Sequence, residues 1–255
     1  MTSHLLLICA AFAAGIVNSV AGGGMFLTFP ALVFTGVPSI IADATSTLAI
    51  SPGVVASAWA YREDFRKPVD FPFLAMLIAS VVGGMAGALL LLFTPQSTFD
   101  SVIAWLMLAA SLLFGFGPRL SPVLRRAFRI GPVTLVVIQF LIATYGGYFG
   151  GAIGILMLAT WSVFGLNDIH VMNAYRTLLG AAANSMAIVL FIVARMIWWP
   201  QALPMLAGTV MGGYIGARAA RKLNPAYLRA GILVISVGIT IVFFLRLHGG
   251  QVRTN

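Results

Sequence analysis

The chain has 255 residues, of which 60% are hydrophobic and 8% charged, with 15 Lys and Arg against 6 Asp and Glu. Soluble domains carry roughly a quarter of their residues as charges, so a water-covered globular surface is excluded; a bilayer, with about 20 apolar residues per helical crossing, is required instead. The net charge of +9 sits mostly in short connectors, where Lys and Arg hold loops on the cytoplasmic side against anionic membrane lipid, and it leaves no basic surface for nucleic acid.

Between His4 and Tyr61 the only charge is Asp43, and between Phe71 and Gly117 it is Asp100. Apolar runs ended by charge, Pro or Gly divide the chain into eight units, which predict an all-α polytopic membrane protein. The first, residues 4–36, is broken by Gly22, Gly23 and Gly24. It lacks a basic N-terminal flank and stays hydrophobic throughout, so it reads as a membrane segment rather than a cleaved signal. Units 38–60, 71–93 and 100–117 follow. A second broken unit, 131–165, is interrupted at Gly146, Gly147, Gly150 and Gly151, and is followed by 171–194, 201–218 and 226–245. Polar connectors are expected at 61–70, 94–99, 117–130, 167–170 and 218–225. Trp59, Tyr61, Trp161, Trp198 and Trp199 sit at unit ends, as interfacial anchors do. No linker is long enough to separate domains, so residues 1–255 read as a single transmembrane domain.

An internal repeat runs through these units. Gly83, Gly84 and Gly87 reappear as Gly212, Gly213 and Gly216, and the same offset carries Gly36 onto Gly165. Each half, about 4–117 and 131–245, opens with a Gly-broken unit and continues with plain helices. The first half is basic after its second unit (Arg62, Arg66, Lys67) and neutral after its third, whereas in the second half only Arg195 follows the sixth unit and Arg218, Arg221 and Lys222 follow the seventh. Equivalent connectors thus carry opposite charge bias, which predicts halves inserted upside down relative to each other, each broken unit being a re-entrant hairpin or a pair of short helices. A parallel arrangement places nearly as many charges inside; the clustered arginines favour inversion.

The two breaks are the first candidates for a functional site. Interrupted backbone in hydrocarbon frees N–H and C=O groups at several kcal/mol each, and survives where it lines a cavity. In secondary transporters such half-helix N-termini hold anions near the midplane. Asn18, Ser19, Gly22, Gly23 and Gly24 surround the first break; Tyr145, Tyr148, Gly150 and Gly151 surround the second. Close helix packing is the alternative explanation. Arg176 lies inside an apolar unit, where its charge costs roughly 3 kcal/mol or more at a helix centre. Asn173, Arg176, Gly180 and Asn184 follow helical spacing and make one polar face. A guanidinium there offers paired donors to a small anionic substrate such as a sulfonate, sulfite or carboxylate; snorkelling, or a pair with Asp168, competes with that role. The repeat counterpart of Arg176 is Thr47, in a run with Thr45 and Ser46, whose hydroxyls either face the anion or bond back to their own helix. Asp43 and Asp168 are the acids placed to carry a coupling proton, and their positions near unit ends favour solvated loop acids.

Other classes fit less well. The three histidines, His4, His170 and His248, belong to no motif, and no cluster has metal-ligand spacing; no catalytic residue, metal or cofactor is expected. The lone Cys9 allows no intrachain disulfide. An anion channel lacks a filter motif, and a non-transporting membrane assembly subunit is the remaining contrast. The sequence leaves oligomeric state open, a homo-oligomer included.

The stretches GIVNSVAGGGMFLTFPALVFTGV, YGGYFGGAIGILMLATWSVFGLNDIHVMNAYRTLLG and GGYIGARAARKL resemble the bacterial sulfite exporter TauE/SafE family of membrane transporters, over residues 10–245. The resemblance implies a duplicated helical permease that moves small sulfur-containing anions across the inner membrane, commonly outward. The family's Gly-rich signature falls on Gly22, Gly23 and Gly24 in the first half. In the second it falls on residues 150–154, which are less glycine-rich here.

Overall fold

The computed structural model describes residues 2–66, 71–127, 131–151, 153–166 and 168–219, with residues 234, 237, 238 and 241 beyond them. The described residues form helices and turns, without a strand: α1 (Thr2–Ala21), α2 (Met25–Phe34), α3 (Ser39–Ala60), α4 (Phe73–Leu92), α5 (Gln96–Ala127), α6 (Pro132–Tyr148), α7 (Ile153–Phe164), α8 (Ile169–Val193) and α9 (Trp199–Ala219), with a single 3-10 turn at Asp64–Arg66. The unit at 226–245 and Arg221 and Lys222 lie outside the described residues, isolated positions apart.

α3, α4 and α8 are each long and apolar enough to cross a membrane; Leu5–Val20, Met25–Phe34, Pro132–Tyr148 and Ile153–Phe164 are shorter apolar helices. The shorter ones come in pairs, because each Gly-broken unit is two helices. Large apolar side chains cover the outside, among them Trp59, Leu74, Phe93, Val133 and Val193, a surface that water would penalise and lipid tails accept.

Close backbone approach organises the interior. A Cβ added to Gly15 would lie 2.6 Å from Gly213 N, and one added to Gly216 would lie 2.6 Å from Ile16 Cα, so α1 and α9 lie nearly backbone to backbone. α4 meets α6 in the same way, where a Cβ on Gly87 would lie 2.7 Å from Tyr148 N. Such small-residue faces are how helices pack in lipid, where van der Waals contact replaces the hydrophobic drive.

Three expectations are corrected. The connector at 117–130 is helical as far as Ala127: charges end an apolar run, but a helix leaving the bilayer has no reason to stop at them. Trp161 and Tyr61 are each 1% exposed rather than at an interface. Trp161 stacks on Phe71 with ring centroids 5.8 Å apart, and the Tyr61 hydroxyl donates to Ser19 O at 3.4 Å. Asp43 is no loop acid: it lies within α3 and is 1% exposed, because the helix starts at Ser39 and turns this face inward. Asp168, by contrast, is exposed and caps α8, accepting from the backbone N–H of His170 and Val171.

Candidate functional site

The break between α1 and α2 turns on Gly22, at φ +78°, and the break between α6 and α7 on Gly150, at φ +71°. Both are left-handed conformations that side chains disfavour, which is why glycine occupies the turning points. The two breaks touch: a Cβ on Gly22 would lie 2.7 Å from Gly154 Cα, and a Cβ on either glycine would collide with Arg176 Nη1.

Arg176 is 4% exposed. Its Nε donates to Asn173 Oδ1 at 3.1 Å, one turn earlier on α8, and its Nη2 donates to the carbonyls of Asn18 and Ser19, both at 3.0 Å. Those carbonyls belong to the last turn of α1, where unpaired acceptors concentrate partial negative charge. The guanidinium therefore closes the end of the first broken helix from a distant part of the chain. It does not snorkel toward headgroups.

Beside it lies a cavity of about 40 Å³, room for about three waters at roughly 10–15 Å³ each. Asn18, Thr47, Arg176, Thr177 and Asn184 supply its polar lining. Met25 from the start of α2, together with Ile153 and Gly154 from the start of α7, brings both half-helix N-termini to its wall, where the macrodipole is positive. Asn184 Nδ2 donates to Ser51 Oγ at 3.4 Å. A cation, two positive helix ends and neutral hydroxyl and amide groups converge on one small space, which suits a compact anion.

Of the candidate residues, Asn18, Thr47, Gly150, Arg176 and Asn184 line this cavity; Ser19, Gly22 and Asn173 contact the guanidinium. Gly23 and Gly24 form the turn itself, Gly23 O accepting from Phe26 N at 3.2 Å and Gly24 O from Leu27 N at 3.0 Å. The rest lie elsewhere. Thr45 Oγ1 accepts from Trp198 N at 2.9 Å, and Ser46 shares a hydrogen bond with Thr28 at 2.5 Å. Tyr145 packs its ring edge-on to Phe149, Tyr148 packs on Phe99, and Gly151 lies against Phe149. Sequence reasoning missed the apolar wall of Met25, Ile50, Val54, Ile153 and Met157. Thr47, Ile50 and Val54 share one helical face, so the spacing from Thr47 carried a signal for two of them. Among the described residues no group of three or more His, Cys, Asp or Glu is placed to hold a metal ion.

The sulfite exporter TauE/SafE family model matches residues 7–243. The chain is 27% identical over 237 residues to a probable membrane transporter protein of Haemophilus influenzae, covering 92% of each chain. It is 28% identical over 257 residues to the probable membrane transporter protein YfcA of Escherichia coli K12, covering 99% of this chain and 94% of that one. Bacillus subtilis YunE, also named a probable membrane transporter protein, is 24% identical over 269 residues, covering 94% and 98%. No solved structure matches. With the model spanning nearly the whole described bundle, including both helix breaks and Arg176, the chain belongs to the sulfite exporter TauE/SafE family.

Proposed function

We propose that this protein is a multi-pass secondary transporter of the bacterial inner membrane, which carries small oxyanions, sulfite and sulfonates foremost, by alternating access. The observation that carries this reading is the convergence of two broken helices on one buried arginine beside a small cavity. A space for about three waters suits an ion of a few heavy atoms in this conformation, whereas a longer sulfonate needs the cavity to open. The sulfur chemistry and the outward direction rest on the family's description.

The two halves are read as an inverted repeat. Gly36 and Gly165 both turn at positive φ, at +90° and +119°, as do Gly22 and Gly150. Packing is reciprocal, since α1 lies on α9 as α6 lies on α4, and the repeat mates Thr47 and Arg176 face one cavity. Tyr61 packs with Ala217, which brings the basic connector after α3 and Arg218 to the same end of the bundle. Inversion requires that juxtaposition, and a parallel repeat would separate them. Cysteines placed at Arg62 and at Arg218 should both resist membrane-impermeant reagents applied from outside; labelling of only one of the two would sink the inverted arrangement.

The functional test is a thermal-shift screen of detergent-purified protein against sulfite, sulfonates, sulfate and small carboxylates, followed by counterflow in proteoliposomes. Selective stabilisation follows RT ln(1 + [L]/Kd). Saturable counterflow separates a carrier from an anion channel, and stabilisation without any flux would point to a non-transporting assembly subunit.

A further inference from the structure

Asp43 is a carboxyl group that nothing in the site above accounts for. It is 1% exposed, and among the described residues neither of its oxygens has a hydrogen-bond partner. An ionised carboxylate stripped of water and given no donor is far costlier than a neutral one. Asp43 does not line the cavity but stands one turn from a residue that does. It precedes Thr47, a cavity residue, by one helical turn on the same face of α3, about 6 Å along the axis.

We infer that Asp43 is the proton-carrying group of the transport cycle, holding a proton in this conformation and linking its uptake to occupation of the neighbouring anion cavity. The inference rests on the transporter reading above and supplies its coupling ion. A charged Asp43 would repel an anion one turn away, so protonation favours anion binding, and by reciprocity the anion favours protonation. Anion and proton then travel together, and net flux follows the sum of their gradients, so export proceeds when the outward gradient of the anion exceeds the inward gradient of the proton. The proton exchanges with water when the halves move: carboxylate plus proton gives the neutral acid, and release reverses it. The two breaks are packed on each other, Met25 of α2 against Gly150 and Phe29 of α2 edge-on to Phe149 at 5.9 Å, so a movement at Gly150 is felt on α2, which lies against α3.

The titratable groups around it do not take over this role. Tyr145 of α6 packs its ring edge-on to Phe149. Asp100 of α5 accepts from Ser39, one turn before Asp43, and also accepts from Gln96 Nε2 at 3.0 Å. α8 presents Arg176, engaged by Asn173 and the end of α1; its Tyr175 faces Phe65, and His170 lies in its first turn. α2 carries no titratable residue, α1 carries His4 and the exposed Cys9, and α9 carries Tyr214 and the exposed Arg218 at its far end.

The test compares wild type with the near-isosteric Asp43→Asn in proteoliposomes, using radiolabelled methanesulfonate, which stays a monoanion so that pH acts on the protein alone. Wild type should accumulate it away from the acid side, about tenfold per pH unit of gradient for one proton per anion. D43N should lose that accumulation and keep counterflow. Infrared spectra should show a protonated carboxyl C=O band at neutral pH in wild type that D43N lacks. Gradient-driven accumulation by D43N, loss of its counterflow, or absence of the band would each overturn the inference. Absence of counterflow in wild type is a different failure, that of the transport reading, and the coupling falls with it.

Discussion

Replacing Arg176 by Ala probes both the architecture and the chemistry of the cavity. The substitution removes Nε–H···Oδ1 to Asn173 and the Nη2 bonds to Asn18 O and Ser19 O. Neither carbonyl is stranded by the loss, because Asn18 O also accepts from Gly22 N at 3.0 Å and Ser19 O from the Tyr61 hydroxyl at 3.4 Å. The cost is therefore that of losing charge-assisted bonds rather than of baring acceptors, about 2–4 kcal/mol in all. The protein should still fold, with a thermal midpoint lower by roughly 5–15 °C. Oxyanions should no longer raise that midpoint, and counterflow should vanish. Arg176→Lys keeps a cation at the end of α1, worth about 0.3–2 kcal/mol, but loses the planar fork, so it should regain part of the stability and little of the anion response. The reasoning fails if R176A is as stable as wild type and is stabilised by sulfite to the same extent.

Four further substitutions separate packing from chemistry. Gly22→Ala forces a side chain into a left-handed turn and against Gly154 and the guanidinium; it should cost about 2–5 kcal/mol. Gly150→Ala meets chiefly the flexible Met25 sulfur and should cost about 1–2 kcal/mol. Denaturant titration of the two variants side by side checks that order. Thr47→Val keeps the shape of a cavity residue and removes its hydroxyl, so sulfite affinity measured by calorimetry should weaken about three- to tenfold with little change in stability. Asp168→Ala removes an exposed helix cap and should lower stability by about 1 kcal/mol; transport rates in vesicles should not move, and a large loss would mean that Asp168 acts in the cycle.

Composition carried the membrane assignment, because the scarcity of charge is a property of the whole chain and needs no coordinates. Glycine spacing located both helix breaks, since Gly22 and Gly150 mark places where only a residue without a Cβ turns easily. Helical periodicity likewise put Asn173, Arg176 and Asn184 on one face. Which groups meet across the bundle was not legible in one dimension. Thr45, Ser46 and Thr47 are consecutive and chemically alike, yet a helix points successive side chains about 100° apart, and only Thr47 reaches the cavity. The carbonyls that accept from the Arg176 Nη2 lie more than a hundred residues away on α1. Asp43 looked like a solvated acid because it lies only a few residues from the end of its apolar run. Its burial depends on how α3 is rotated against its neighbours, and that is decided by packing between helices, which local sequence does not encode.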